Sequence, residues 1–328
     1  MPSSIGNKPK DTIDKPISFD VFIAGKSISS DYKLIKLNVD KLINKISRAR
    51  VYLSGGDAYL NTFEESENSN FNPGKTVELR FGYEQDNEVV FKGIIEKLGI
   101  SLKDGFASKP WRSLLVLECV DVAIKLTNSY TSDIYEKKKD SQIFSTLIGK
   151  VPGLKSTISP TSVIHPFLPK YNSSDWDFII SRCEVNGLVV LNSDNEIKIS
   201  EPKKSVSQPD LTITNGLSTI NFDAKIDSSS QLNTLTLDSW DYFTNKKNQN
   251  KAAEPSLTVN NSLTGKKIST STSPSSVNIN IPQTTEVSEL KAISNSILQS
   301  SRLTRIIGRA KFKGVTNIDL GSVVKLNG

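Results

Sequence analysis

Residues Ser173–Ile199 read Ser-Ser-Asp-Trp-Asp-Phe-Ile-Ile-Ser-Arg-Cys-Glu-Val-Asn-Gly-Leu-Val-Val-Leu-Asn-Ser-Asp-Asn-Glu-Ile-Lys-Ile. This stretch predicts one short amphipathic helix followed by a hairpin. Ser174 is placed to cap the helix, and Asp177 stands three residues later as a shortened capping box. One helix face is apolar because large apolar residues recur at i, i+3, i+4 and i+7. These residues are Trp176, Ile179, Ile180 and Cys183.

The pair Asn186-Gly187 predicts the end of this helix, because glycine adopts the left-handed cap conformation without a Cβ penalty. Leu188–Leu191 and Glu196–Ile199 then read as two strands around a polar turn. Taken alone, these residues are typical of a helix and hairpin in the core of many α+β proteins.

The composition indicates a folded protein of two or three domains, with 328 residues of which 36% are hydrophobic. No apolar run reaches the roughly 18 residues of a membrane span, so no membrane anchor is expected. Residues 1–16 are polar and predict a flexible N-terminus without a secretory signal. The net charge of +6 is mild, and the basic run Lys137–Lys139 lacks interleaved aromatic residues, so no nucleic-acid contact is expected.

Few residues suit catalysis or metal binding. Cys119 and Cys183 are the only cysteines, and both lie in apolar stretches, which favours buried free thiols over a disulfide or a metal site. His165 is the only histidine and lies in a predicted proline-flanked loop. No G-x-S-x-G, H-E-x-x-H, C-x-x-C or Walker motif occurs, although 35 acidic residues leave chance carboxylate pairs open. We therefore predict no enzyme and no catalytic, cofactor-binding or metal-binding residues.

Residues 17–125 alternate between apolar and polar over many short segments, which predicts strands with one buried face each, in a barrel or a sandwich. Pro73 and Gly74 predict a type II turn, because proline sets φ and glycine supplies a positive φ. Residues 84–87 are expected to form the tip of the next hairpin. The predicted inward residues include Ile17, Phe19, Val21, Ile23, Ile35, Leu37, Val39, Val77, Leu79, Phe91, Leu98, Leu115 and Leu117.

Residues 126–205 predict a smaller α+β segment. Asp140 or Ser141 is expected to cap a helix that ends at Gly149, and residues 152–169 are expected to form a loop rich in proline and serine.

Residues 206–328 return to alternating strands, with Phe222, Ala224 and Ile226 on one face. A tryptophan at position 240 is expected in the core. Residues 245–286 are polar and predict a long excursion that is partly disordered unless a partner covers it. A helix over residues 286–300 and strands over residues 306–312 and 322–326 complete the chain.

Four strings occur in a fixed order: F-N-P-G-K-x-V-E-L-x-F-G-Y from Phe71, V-F-K-G-I-I from Val90, S-D-W-D-F-I-x-S-R-x-E-x-N-G-L from Ser174, and R-x-x-G-R-A-K-F-K-G from Arg305. In this order they resemble the VgrG-like, phage late-control and baseplate-hub proteins of contractile injection systems. The positions that carry the resemblance structurally are Trp176, Phe178, Arg182, Glu184, Asn186, Gly187, Pro73, Gly74, Gly93 and Trp240.

The resemblance implies a mainly β fold with an α+β insert. Two tube-like β-barrel domains, residues 17–125 and 206–328, are expected to be linked by a small α+β domain over residues 126–205. Members of the family continue into an OB-fold and a β-helical spike, and Gly328 stands where that continuation would begin. The spike is therefore expected on another chain or outside this sequence.

The function that the resemblance implies is mechanical and needs no cofactor. Three hub chains form a ring with six barrels around one axis, which adapts a sixfold tail tube to a threefold spike. The implied partners are two further copies of the chain, the tail tube protein, the spike with its OB-fold or β-helix tip, and baseplate proteins. The implied location is a tail-like particle assembled in the bacterial cytoplasm and delivered outside the cell or into a target on firing.

Two other classes stay open from the residues alone. A secreted β-rich hydrolase or carbohydrate-binding protein would use exposed aromatic residues, for which Trp111, Trp176 and Trp240 are the candidates. A nucleic-acid binder rests only on the positive net charge.

Overall fold

The computed structural model describes residues 15–28, 32–54, 69–103, 112–203, 208–214, 219–257, 263–272, 276–316 and 318–327. Most of the predicted flexible N-terminus and Trp111 lie outside these residues. The described chain is mainly β with an α+β segment in the middle, which confirms the predicted fold class.

The first part of the chain is one antiparallel sheet of seven strands in the order β2-β1-β5-β6-β7-β4-β3. Among the described residues this order is open, with β2 and β3 at its edges. The strands are β1 Ile17–Ile23, β2 Lys26–Ser27, β3 Leu34–Asp40, β4 Arg48–Ser54, β5 Thr76–Tyr83, β6 Asp86–Lys103 and β7 Arg112–Val120.

Strand β6 gives this sheet its curvature. It is 18 residues long, whereas the sequence predicted only short strands over residues 17–125. Its first half pairs with β5 up to Ile94, and its second half pairs with β7 from Ile94 onward, so the strand passes from one neighbour to the other. Irregular register at Leu79/Arg80 and at Ile95/Lys97 lies on either side of this crossing, as expected where a sheet bends.

The concave face of the sheet buries its own core. Strands β1, β4, β5, β6 and β7 all contribute inward side chains to one apolar cluster, and Phe71 from a short 3-10 helix closes it. A flat sheet cannot bury one face without a covering layer. Among the described residues this cluster is made almost wholly by one sheet, so that sheet wraps around it. The core residues include Val21, Ile23, Val51, Leu53, Val77, Leu79, Phe91, Leu115, Leu117 and Cys119.

Some residues that were predicted to face inward do not. Ile17 and Ile35 are 59% and 44% exposed. Ile17 lies at the beginning of β1, and Ile35 lies at a register shift in the edge strand β3, so the period-two alternation is interrupted there. The predicted tip over residues 84–87 is shorter in the structure: Glu84 and Gln85 alone form the turn, both with positive φ.

The middle segment places two helices against small sheets. Helix α2, the organising helix of the sequence, begins after Ser174, whose Oγ accepts a hydrogen bond from the backbone N–H of Asp177 at 3.0 Å, and ends at Gly187 with φ of 66°. The elements are β8 Tyr130–Lys139, α1 Asp140–Ile148, β9 Lys155–Ile158, β10 Ile164–Ser174, α2 Asp175–Asn186, β11 Val189–Ser193 and β12 Glu196–Ser200.

Two predictions for this segment were wrong. The loop predicted over residues 152–169 contains β9 and most of β10, because β8 and β12 supply hydrogen-bonding partners that the local sequence does not reveal. Asp140 does not cap helix α1: Lys139 occupies the N-cap position, and Asp140 is the first helical residue. The buried carboxylate of Asp140 is directed to Arg182 instead.

The last part of the chain packs helix α4 on a three-stranded sheet of β16, β15 and β17. Leu235, Leu237 and Leu290 form the buried centre of this contact. Residues 245–286, predicted to be a partly disordered excursion, contain β16, α3 and β17, because β15 pairs with both strands. The elements are β13 Leu211–Thr214, β14 Thr219–Ile226, β15 Leu235–Asp241, β16 Lys246–Lys251, α3 Gly265–Thr272, β17 Val277–Ile281, α4 Val287–Leu303, β18 Ile306–Phe312 and β19 Val324–Asn327.

Replacing Gly93 with alanine should destabilise the curved sheet. A Cβ at Gly93 would lie 2.3 Å from the carbonyl oxygen of Val120 and 2.8 Å from the ring of Phe91, and neither group can move without opening the core. We expect a loss of roughly 1–3 kcal/mol in the free energy of unfolding, measured by chemical denaturation.

Gly99→Ala is the matched control, because it lies on the same strand and its added Cβ would approach only the Val116 carbonyl, at 3.9 Å. Equal denaturation midpoints for the two variants would contradict the role given to Gly93 at the bend.

Candidate functional site

Helices α1 and α2 meet at a buried ion pair between Asp140 and Arg182. Nε of Arg182 donates to Oδ1 of Asp140 at 2.7 Å, and its Nη2 donates to Oδ2 at 3.0 Å, so the contact is bidentate. The Asn186 side-chain amide also donates to Oδ2, at 2.9 Å. The carboxylate is fully buried. This geometry is the strong form of an arginine–carboxylate pair and fixes the relative position of the two helices.

The same ion pair reaches two further elements. Nε2 of His165 on β10 lies 3.0 Å from Oδ2 of Asp140 and 3.0 Å from Nη2 of Arg182. Nη2 of Arg182 also donates to Glu289 of helix α4 at 3.1 Å. We call Asp140, His165, Arg182, Asn186 and Glu289 the Asp140 network; it joins α1, β10 and α2 of the middle segment to α4 of the last part of the chain.

The contacts within the network keep both Asp140 and Arg182 in their charged forms. Burial alone would raise the pKa of Asp140, but hydrogen bonds from His165 and Arg182 and the positive charge of Arg182 keep this pKa well below its usual range. Burial would lower the pKa of Arg182, and the Asp140 and Glu289 carboxylates raise it instead. Both groups are therefore charged at neutral pH, and removing either one would leave a buried charge without its main partner.

Helices α2 and α4 also contact each other through hydrogen bonds to backbone carbonyls at the end of α2. The hydroxyl of Ser296 donates to the backbone carbonyl of Glu184, and Nε2 of Gln299 donates to the carbonyl of Gly187 at 3.0 Å. A Cβ at Gly187 would lie 3.5 Å from the backbone of Ser296. This is an ordinary van der Waals distance, so the positive φ at Gly187, and not the space around it, is what favours glycine there; the hydrogen bonds from α4 satisfy free carbonyls at the end of α2.

A second contact joins three parts of the chain at Lys41. Its Nζ donates to Oγ of Ser193 at 2.6 Å and forms ion pairs with Asp194 at 3.3 Å and Asp319 at 3.2 Å. Lys41 follows β3 of the first sheet, Ser193 and Asp194 lie at the β11–β12 turn, and Asp319 lies between β18 and β19. The connection after β18 thus contacts both the first sheet and the middle segment.

Backbone hydrogen bonds reinforce the junction of the first sheet with the middle segment. The backbone N–H of Asn44 donates to the Val190 carbonyl, and the backbone N–H of Val190 donates to Oδ1 of Asn44, both at 2.8 Å. Asp121 accepts from the backbone of Asn195 at 2.7 Å. Burial raises the pKa of Asp121, although its hydrogen bonds act in the opposite direction.

The predicted motif residues of helix α2 and its end divide into three groups in the structure. Trp176 and Phe178 are in the core of the middle segment, each 7% exposed. Arg182 and Asn186 belong to the Asp140 network, whereas Glu184 and Gly187 contact α4 through their backbone carbonyls.

The motif residues of the first sheet lie near its bend. Pro73 and Gly74 form a turn in which Gly74 has φ of 93° and donates its N–H to the Ile95 carbonyl at 2.8 Å. This places the turn beside the segment of β6 that contains Gly93.

Trp240 is separate from the other motif residues, and the prediction that it lies in the core was wrong. It is 42% exposed on β15, because Leu235, Leu237 and Ser239 occupy the inward positions and residue 240 falls on the opposite face.

Sequence reasoning missed Asp140, His165, Glu289 and Lys41 as contact residues. Each meets its partner across a long sequence separation, 42 residues for Asp140 and Arg182 and 107 for Arg182 and Glu289. The only local signal was a carboxylate at the beginning of a predicted helix, and that signal suggested a cap.

Strands β14 and β18 form a two-stranded antiparallel ribbon with an exposed apolar face. Register places Phe222 opposite Ala310, Ala224 opposite Gly308 and Ile226 opposite Ile306 on that face. Phe222, Ile226 and Ile306 are 45%, 49% and 45% exposed. The sequence predicted one buried face for β14, and none of the described residues covers that face.

Two further properties bear on the kind of site. In the described ranges, no three His, Cys, Asp or Glu side chains are grouped so that they could hold a metal ion. None of the helices in the same ranges has the length and apolar character required to cross a membrane. Cys119 and Cys183 are buried free thiols, as predicted.

The fold is that of phage tail proteins. A 43 kDa tail protein of the prophage MuSo2 from Shewanella oneidensis superposes with a TM-score of 0.67 at 10% identity, covering 95% of this chain and 89% of that one. A tail protein from Neisseria meningitidis MC58 gives 0.66 at 13% identity, covering 94% and 86%. Prophage tail protein gp18 from Listeria monocytogenes gives 0.51 at 9% identity, covering 94% and 84%.

This similarity confirms, at the level of the fold, the resemblance to the injection-machine hub family. Residues 13–328 match the family described as the Alg8 N-terminal domain, and the chain belongs to that family. No curated protein sequence matches the chain.

Replacing Asp140 with alanine should destabilise the protein strongly. The variant leaves the guanidinium of Arg182 buried without its bidentate partner, which typically costs about 3–5 kcal/mol. Glu118→Ala is the control, since it removes a carboxylate from the more exposed ion pairs with Arg50 and Lys97 and should cost less than about 1 kcal/mol. Urea denaturation of both variants measures the difference, and similar losses would show that the Asp140 network contributes no special stability.

The Asp140 network should also make stability depend on pH in the acid range. Because folding lowers the pKa of Asp140 from its ordinary 3.8, its contribution is complete above that value and decreases as the pH falls below it. The wild-type free energy of unfolding should therefore fall more steeply from about pH 4 to about pH 2 than that of Asp140→Asn. Glu88→Gln, which removes an exposed carboxylate, should keep the wild-type slope. Parallel slopes for Asp140→Asn and wild type would contradict this assignment.

Proposed function

We propose that the chain is the structural hub of a contractile injection machine, three copies of which form a ring between a sixfold tail tube and a threefold spike. The role is mechanical rather than catalytic. The observation that carries the proposal is the tail-protein fold, shared over 95% and 94% of the chain with the two tail proteins that have the highest TM-scores reported above.

The division of the chain supports a ring with six similar units. We propose tube-like domains at residues 17–125 and 206–328, joined by the α+β domain at residues 126–205. Two tube-like domains in each of three copies provide six units around one axis, and a closed ring needs the two sides of each copy to be complementary.

The β14–β18 ribbon supports assembly with other copies. A two-stranded ribbon is marginally stable by itself in water, and exposed apolar faces and unpaired strand edges are surfaces that proteins usually cover. In the proposed ring, neighbouring copies cover the face formed by Phe222, Ala224 and Ile226. In the other tube-like domain, the edge strands β2 and β3 supply the corresponding edges.

The buried contacts between segments suit a part that must transmit force. The Asp140 network ties the middle domain to α4, and Lys41 ties the first sheet to the middle domain and to the loop before β19. A hub held in this way keeps its two tube-like domains at a fixed distance when the tube is driven through a target. The proposed partners are the tail tube protein, the spike and baseplate proteins. The proposed location is a tail-like particle assembled in the bacterial cytoplasm.

The oligomeric state tests this function. Native mass spectrometry and mass photometry of the full chain, alone and with its tail tube protein, should reveal a trimer in at least one condition. Electron microscopy of the particle should place the chain on a threefold axis. A chain that remains monomeric with and without the tube protein, and that is absent from assembled particles, would disprove the hub.

A pair of aspartate substitutions on the ribbon tests the surface. Ala224→Asp places a charge on the apolar face and should weaken trimer formation at least about tenfold, whereas Lys225→Asp places the same side chain on the opposite face and should have little effect. Circular dichroism should give equal melting temperatures for both variants, because neither residue is buried within one copy.

A further inference from the structure

The turn between β15 and β16, Tyr242–Asn245, projects aromatic side chains into solvent. Phe243 is 93% exposed and Tyr242 is 71% exposed, and Trp240 beside them is 42% exposed. We call Trp240, Tyr242 and Phe243 the aromatic tip. Large aromatic side chains this exposed are uncommon on a protein surface without a partner, and they are the residue types enriched at the energetic centres of protein interfaces.

Asp241, which lies between Trp240 and Tyr242, holds the backbone of the aromatic tip in place. The carboxylate of Asp241 accepts hydrogen bonds from the backbone N–H of Phe243 at 2.9 Å and from the hydroxyl of Thr244 at 2.6 Å. The hydroxyl of Thr284 donates to the carbonyl of Trp240 at 3.1 Å, which ties the end of β15 to the adjacent loop. A preformed turn loses little conformational entropy on binding, so these contacts favour a role in recognition.

A groove with both apolar and polar lining residues lies elsewhere on the same chain; the polar ones are Lys41, Asp194, Thr316 and Asp319. It has a volume of about 630 Å³ and runs between the first sheet and the segment that connects β18 to β19. A single water occupies ~30 Å³ of liquid, so the groove is large enough for an aromatic ring. Its apolar lining, half-buried throughout, consists of Val39, Val89, Val90, Val315, Ile318 and Leu320.

The charges beside the two surfaces are complementary. Lys246, exposed, stands at the base of the aromatic tip. Asp319 stands at the rim of the groove, where its side chain remains 49% exposed although it pairs with Lys41. A lysine that approaches this carboxylate would orient the tip over the groove.

We infer that the aromatic tip of one copy docks in the groove of the next copy around the ring. The occupant is a second copy of this chain, because the lysine beside the tip complements the carboxylate at the rim of the groove, and because no other described residue fills either surface. A contact between two different surfaces is heterologous, and a heterologous contact closes into a ring when the rotation between copies allows it. This inference rests on the proposed ring and assigns one of the contacts that close it.

Cysteine cross-linking tests the contact in the full-length chain. The two native cysteines are buried, so engineered thiols should dominate the reaction. The double variant Phe243→Cys with Leu320→Cys should form covalent dimers and trimers under mild oxidation, and either single variant should not. Tyr171→Cys with Leu320→Cys is the control, because Tyr171 is 83% exposed and lies on β10, outside the aromatic tip. Cross-links that are equally abundant in the control would overturn the inference.

Removal of single side chains gives an independent measurement. Phe243→Ser and Val90→Asp should each weaken self-association at least about tenfold, and Tyr171→Ser should leave it unchanged. Trimers that form normally with both Phe243→Ser and Val90→Asp would overturn the tip-and-groove contact while leaving the hub function intact. A chain that is monomeric in every condition would reject both proposals.

Two other classes of ligand, carbohydrate and lipid, are tested with the same Phe243→Ser variant. Loss of binding by Phe243→Ser on a glycan array, with unchanged self-association, would assign the tip to carbohydrate. Loss of binding to vesicles of phosphatidylglycerol, with unchanged self-association, would assign it to a lipid surface. Either result would overturn docking between copies.

Discussion

The bidentate ion pair between Asp140 and Arg182 is the contact on which the arrangement of the middle and last parts of the chain depends. It joins α1 to α2, and through His165 and Glu289 it reaches β10 and α4. A buried pair of this kind gains little net stability over an apolar contact, but each partner is costly to leave alone. The arrangement that satisfies every member is therefore favoured over alternatives in which α4 packs elsewhere.

The curved first sheet depends on a different constraint, which is close approach of the backbone. Gly93 allows β6 to pass from β5 to β7 over the carbonyl of Val120, and the resulting curvature lets a single sheet enclose its own core. Lys41 and the hydrogen bonds of Asn44 then attach this sheet to the middle segment. Attachment at both sides of the middle segment gives the chain one defined geometry, which is the property that the proposed position between a tube and a spike requires.

The charged groups described above pair with each other within the chain, whereas two apolar surfaces face solvent. These exposed surfaces are the ones that assembly would cover. Charged groups are satisfied within the Asp140 network and at Lys41. The β14–β18 ribbon and the aromatic tip instead expose apolar side chains on rigid backbone. A surface of this kind is stable only when another surface covers it, so the proposed ring completes burial that the single chain leaves unfinished.

Local sequence determined the elements whose signals are contained within a few residues. These are α2 with its Ser174 cap and Gly187 end, the Pro73-Gly74 turn, and the buried faces of β5 and β7. Tertiary structure decided what depends on distant partners. β9 and β10 form in a segment predicted to be a loop, because β12 and β8 supply their hydrogen-bonding partners. Residues 245–286 contain the strands β16 and β17, because both pair with β15. Asp140 does not cap α1 as expected, because its carboxylate forms a buried bidentate ion pair with Arg182, which is 42 residues away in the sequence. Capping and turns are fixed by neighbours in the sequence, whereas strand pairing and buried charges require groups that only the folded chain brings together.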